Sequence, residues 1–242
     1  MKNVFLVLLA FCFQLLYPQK TAENQANWFA YTGQYKVSSK WGLHAEAQFR
    51  MDGDIQFSRQ NLFRLGAIYY PNKSTNFILG YGLINTLNSA VDDYFKEDRI
   101  WEQYQHTYKW HDAKNVMINR LRLEQRFVDK IGLQEDQIVR LETNYQNRFR
   151  YLGRHLFHLK YLNKNKDECY AVVQDEVFLN IGSNEVNPHF FDQNRFFAGM
   201  GIQSNSNFRV EFGYLNQLLN PASGADIMNH TVSVALFHNL TF

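Results

Sequence analysis

Cysteine is nearly absent: the 242 residues hold two, Cys12 and Cys169. Cys12 falls in a leading segment that reads as removable, and one remaining thiol closes no internal disulfide. A small secreted domain stapled by disulfides is therefore excluded. Proline is scarce, at four residues. Beyond the amino terminus no apolar run reaches the ~20 residues that a membrane helix requires. Charge of one sign is lacking too, since 25 Lys and Arg stand against 23 Asp and Glu. That balance gives no ground for nucleic acid or an acidic polymer as partner. A helical stripe of useful length and a repeat of the solenoid or propeller kind are both missing. Mean hydropathy is negative, which ordinarily describes a soluble chain. Membrane barrels escape that rule, because their strands alternate and the signal averages away.

Aromatic residues are abundant, with 21 Phe and 14 Tyr. The leader MKNVFLVLLAFCFQLLYPQK places Lys2 before an apolar run from Val4 to Leu16, then breaks at Tyr17-Pro18. This is the pattern of a secretory signal peptide over residues 1–20, with cleavage between 19 and 22. It leaves 21–242 as one domain. From Asn27 onward, segments of period two alternate with polar or Gly/Pro/Asn-rich breaks. They predict strands near 27–37, 41–51, 59–70, 76–86, 99–110, 116–127, 138–150, 155–163, 170–182, 193–204, 208–218 and 229–242. Each is about as long as a tilted strand needs to be to cross a bilayer.

The breaks between the strands fall into two lengths. Those near 38–40, 71–75, 111–115, 152–154, 164–167 and 204–207 are short; those near 52–58, 87–98, 128–137, 182–192 and 219–227 are longer. The expectation is an all-β, single up-and-down antiparallel transmembrane barrel of about twelve strands, with short periplasmic turns and longer extracellular loops. An even strand number would return both ends of the barrel to the periplasm. In the fourth strand, Phe77, Leu79, Tyr81 and Leu83 oppose Gly80 and Gly82, glycines that would leave room inside for bulky neighbours.

The last stretch, NHTVSVALFHNLTF, sets Val232, Val234, Leu236, His238, Leu240 and Phe242 on one face. Thr231, Ser233, Ala235, Phe237, Asn239 and Thr241 fall on the other. Its ending resembles the closing strand of bacterial outer-membrane barrels. That resemblance implies an assembly signal at Phe242 and Leu240, read by the barrel-assembly machinery, with outer-membrane lipid as the other partner.

Charge is concentrated on single faces. In VMINRLRLEQRF, Arg120, Arg122, Glu124 and Arg126 share a face; in IVRLETNYQNRFRY, Arg140, Glu142, Arg148 and Arg150 do the same. A hairpin centred near Gly132 would set Arg122 opposite Glu142 and Glu124 opposite Arg140. Glu46, Arg50, Glu102, Glu176, Arg195, Arg209, Glu211 and His44 extend the set. Hydrocarbon would not accept such a row, whereas a hydrated lumen would. Two readings follow: a pore or site for a small anionic solute, or a salt-bridged network that fills and stiffens the barrel. Mixed signs favour the network.

A catalytic site is not legible. His230 and Ser233 point to opposite faces of a strand, and no G-x-S-x-G is present. His155 and His158 also diverge, and Asp92, Asp93, Glu97 and Asp98 lack calcium-loop spacing. No metal or cofactor is expected. A lipid-modifying or lipid-hydrolysing enzyme of the outer membrane stays open as the alternative, because strands can assemble a site from distant residues.

The opening NWFAYTGQYKVSSKWGLHAEAQFR, the segments RIWEQYQHTYKW, NRLRLEQRF and RFRYLGRH, and the stretch FFDQNRFFAGMGIQ resemble the domain of unknown function 2490 family. The likeness covers essentially all of the mature chain. It implies a barrel in the outer membrane of Bacteroidetes-type, Gram-negative bacteria, and it implies no substrate and no catalytic residues.

Overall fold

The computed structural model describes residues 21–111, 114–135, 137–163, 167–204 and 207–242. The leading segment read as a signal peptide lies outside them. The described residues are all strand and connection: β1 (Ala22–Lys36), β2 (Trp41–Asp52), β3 (Ser58–Tyr69), β4 (Thr75–Asn88), β5 (Asp93–Trp110), β6 (Asn115–Gln134), β7 (Gln137–Tyr161), β8 (Glu168–Ile181), β9 (Phe191–Ser204), β10 (Phe208–Leu219) and β11 (Ile227–Thr241). Each pairs with its sequence neighbours, and β1 pairs with β11, so the sheet closes into a barrel. Closure leaves no unpaired strand edge.

The barrel has eleven strands, one fewer than the spacing of turn signals predicts. The expected turn at 152–154 does not exist, and the segments 138–150 and 155–163 are one continuous strand, β7. Gly153 imitates a turn signal, but the alternation runs through it: Leu152 and Arg154 are buried on one face while Tyr151 is exposed on the other. An odd count changes the closure. All neighbouring pairs are antiparallel except β1 with β11, which runs parallel from Ala22↔Ile227 to Lys36↔Thr241. The start of β1 and the end of β11 therefore lie at opposite ends of the barrel, not together.

Two of the expected long loops are strand. β4 and β5 extend to Asn88 and Asp93, and β6 and β7 run to Gln134 and Gln137, 20 and 25 residues long. The β6–β7 hairpin contains a register shift between Lys130 and Ile131, where alternation gives way to exposure on both faces.

Inside, the barrel is layered. Towards the end that carries the short turns, Leu156, Tyr170, Val172, Phe197 and Leu215 form one apolar cluster; Ile68, Ile78 and Trp101 form another. Between these and the opposite end the interior carries many charged side chains, alongside buried Leu62, Ile84, Val128 and Phe178. Outside, the arrangement is inverted. Leu43, Leu65, Leu79, Ile100, Val210, Phe212 and Val232 are exposed, and aromatic pairs such as Trp41–Tyr69, Phe77–Tyr104 and Phe127–Tyr145 form across neighbouring strands. In β11 the set Val232 to Leu240 faces outward, while Ser233, Ala235, Phe237 and Asn239 line an interior cavity.

Candidate functional site

The interior charges come from strand parity. On β2, His44, Glu46, Gln48 and Arg50 alternate with Leu43, Ala45, Ala47 and Phe49. On β6, Arg120, Arg122, Glu124 and Arg126 alternate with exposed Leu121 and Phe127; on β7, Gln146, Arg148 and Arg150 alternate with outward Tyr145 and Phe149. Pleating alone puts every second side chain inside.

Glu124 is the hub, with none of its surface exposed. Arg148, directly opposite on β7, approaches to 2.7 Å and Arg150 to 2.6 Å. Arg99 from β5 lies at 3.3 Å, Arg64 from β3 at 3.6 Å, and Arg122, two residues before it, at 3.9 Å. Five guanidinium groups thus converge on one carboxylate. Buried carboxylates need such compensation, because desolvation otherwise outweighs the attraction.

Secondary pairs radiate from this hub. Glu176 accepts from Arg120 at 2.6 Å and from Arg150 at 2.7 Å. Glu97 accepts from Arg126 at 2.7 Å and from Arg99. Glu46 holds Arg64 at 3.0 Å, Asp192 holds Arg148 at 2.9 Å, and Glu211 is held by Arg154 and by the Tyr170 hydroxyl at 2.6 Å. Aromatic rings fill in between: the Arg122 guanidinium lies 4.5 Å from the centre of the Trp101 ring, and Arg150 lies 4.3 Å from that of Phe178.

Three of the sequence-predicted residues stand elsewhere. Arg140 and Glu142 are on the exposed extension of the β6–β7 hairpin, where Arg140 meets Asp129 at 3.6 Å and Glu142 meets Lys130 at 3.0 Å. The strand pairing runs past Gly132 as far as Gln134↔Gln137, so Arg122 pairs across from Arg150, and Glu124 from Arg148. Glu102 lies on the outer face of β5, where Gln125 donates to it at 3.3 Å. β5 carries polar residues on both faces, and its inward set is Glu97, Arg99, Trp101 and Gln103. Arg195 and Arg50 face inward, and both guanidinium groups lie over the Trp28 ring, at 5.0 and 4.1 Å.

Sequence reasoning also missed residues that the fold brings in. Arg64 is a single charge in the apolar strand NLFRLGAIY, and Glu97 and Arg99 fall in or beside a stretch that reads as loop. The legible signal was parity: Arg64 shares its face with Leu62, Gly66 and Ile68. Arg154 was obscured by the false turn at Gly153.

Among the described residues the interior includes a cavity of about 370 Å³ towards the short turns and one of about 580 Å³ towards the opposite end. Arg50, Arg64, Arg150, Arg195 and Trp28 line both. The histidines lie apart from one another. His230 and Tyr214 share a 2.5 Å hydrogen bond on the outer wall, His158 faces Glu168 at 2.8 Å, and His238 stacks on Phe208. Among the described residues no serine hydroxyl bonds a histidine, and no cluster of His, Cys, Asp and Glu could hold a metal ion. Phe242 lies beyond β11, 80% exposed, its N–H donating to the Lys36 carbonyl at 3.0 Å.

A family model described as protein of unknown function (DUF2490) matches residues 25–229. No curated protein and no solved structure matches the chain.

Proposed function

Since this chain belongs to the DUF2490 family of proteins of unknown function, it inherits no activity, and we propose that it is an outer-membrane barrel. In this reading the signal peptide exports it, and the closing strand ending in Leu240 and Phe242 presents it to the assembly machinery. The apolar outer wall meets lipid. The interior is a narrow, arginine-lined, channel-like compartment, held shut at mid-height by the layer around Glu124.

One observation carries the proposal: the surfaces are inverted. Leu65, Leu79 and Phe212 face out while Glu124 and its arginines face in. A soluble barrel buries its apolar side chains and hydrates its charges, whereas lipid rewards the opposite. The reading of closure is supported by Arg64 and Arg150, which hold Glu124 and line both cavities. Planar-bilayer recording tests it. The native barrel passes little or no steady current. Arg122→Ala opens it, because that guanidinium fills interior space against Trp101, while Glu124 keeps Arg148 and Arg150. A large steady native current, or an Arg122→Ala barrel as silent as the native one, would contradict closure by this layer.

A further inference from the structure

The interior holds more positive charge than it neutralises, and the surplus is gathered at one place. The cavity towards the short turns is lined by eight arginines against three glutamates. Glu124, behind that lining, is already shared among five guanidinium groups.

Arg50 and Arg195 are the arginines left without a carboxylate within 4 Å among the described residues. Arg50 donates to the side-chain oxygens of Gln60 at 2.6 Å and Gln48 at 2.7 Å, and its Nε is buried without a partner. Arg195 donates from Nε to Gln193 at 3.1 Å. Both guanidinium groups rest on the Trp28 ring. Arg120 lines the same cavity, sharing Glu176 with Arg150, and its Nε is also buried and unpaired.

Two like charges on one ring repel each other, and neutral glutamine oxygens recover little of that cost. An aromatic face under a guanidinium fixes its plane and leaves its N–H edge for a ligand. That edge matches the two oxygens of a carboxylate or phosphate. Rings of arginine are also how pores select anions.

We propose that Arg50 and Arg195, ordered on Trp28, form with Arg120 on the wall of the same cavity a binding site for a small oxyanion, a phosphate- or carboxylate-bearing solute. The anion sits in the cavity that these residues line and neutralises the pair on Trp28. The inference deepens the reading of an arginine-lined interior and rests on it.

Titration calorimetry of the full barrel in zwitterionic detergent at low ionic strength, with inorganic phosphate in one arm and succinate in the other, provides the test. Saturable binding of at least one probe is expected, weakened about ten-fold or more in both Arg50→Gln and Arg195→Gln. Neither substitution strands a carboxylate, so both variants should fold, and circular dichroism checks that they do. Lys130→Gln, on the exposed hairpin, leaves the affinity unchanged. Native protein that binds neither probe, or folded variants that bind as tightly as native, overturns the site. A barrel that requires detergent yet binds neither probe defeats this inference alone. A chain that stays folded without detergent and still binds defeats the membrane reading alone.

Discussion

Glu124 draws arginines from β3, β5 and β7 as well as its own strand, and none of its surface reaches solvent. Replacing a hub carboxylate leaves several buried cations facing one another, a much larger loss than that of a single exposed contact. Glu124→Gln should therefore lower stability by about 3–5 kcal/mol, in the range for breaking a buried pair from one side. Lys130→Gln, which removes a pair exposed on both sides, should change it by under about 1 kcal/mol. Urea unfolding in phospholipid vesicles, followed by tryptophan fluorescence, measures both; equal effects would count against the hub. The charges of this network were legible as residues but not as pairs. Alternation in NRLRLEQRF marks which side chains share a face, whereas a partner depends on register. The register moved because the strand pairing continues past Gly132 as far as Gln134↔Gln137.

At the scale of the strand, glycine has opposite meanings in two places. Gly80 on β4 faces inward, and a Cβ there would come within 2.6 Å of the Trp101 ring and of the Leu65 carbonyl. The space that NFILGYGLINT reserves is taken by Trp101, and beside it a Cβ at Gly82 would meet Arg64 Cγ at 3.0 Å. Gly153 on β7 faces outward, and the nearest atom to a Cβ would be the Tyr151 hydroxyl at 3.8 Å. Gly80→Ala should cost about 1–3 kcal/mol through overpacking and shift the tryptophan emission. Gly153→Ala should stay within about 0.5 kcal/mol of native. A Gly80→Ala barrel as stable as Gly153→Ala would show that Trp101 is not seated there. The same contrast explains the miscounted strand: a glycine letter reports freedom of the backbone, and only the unbroken parity of Leu152, Arg154 and Leu156 reveals that β7 continues. On β5, polar residues on both faces removed the parity signal, and Glu102 was placed on the wrong side.

The whole molecule combines a closed sheet, an apolar exterior and a charged interior. Closure was legible because period two persists from Asn27 to the end of the chain with no helical segment between. The parallel seam between β1 and β11 was not, since it follows from an odd count that one false turn concealed. The contrast in loop length was only partly real: two of the long breaks are hairpins that extend as strand beyond the rest. Inversion of polarity is the central claim, and spin labels at Leu65 and Leu79, diagonally neighbouring outward positions on β3 and β4, test it most directly. With the barrel in phospholipid vesicles, both labels should be relaxed strongly by oxygen, which concentrates in hydrocarbon, and weakly by a water-soluble nickel chelate. Relaxation dominated by the nickel chelate at both sites would place that wall in water and contradict the account.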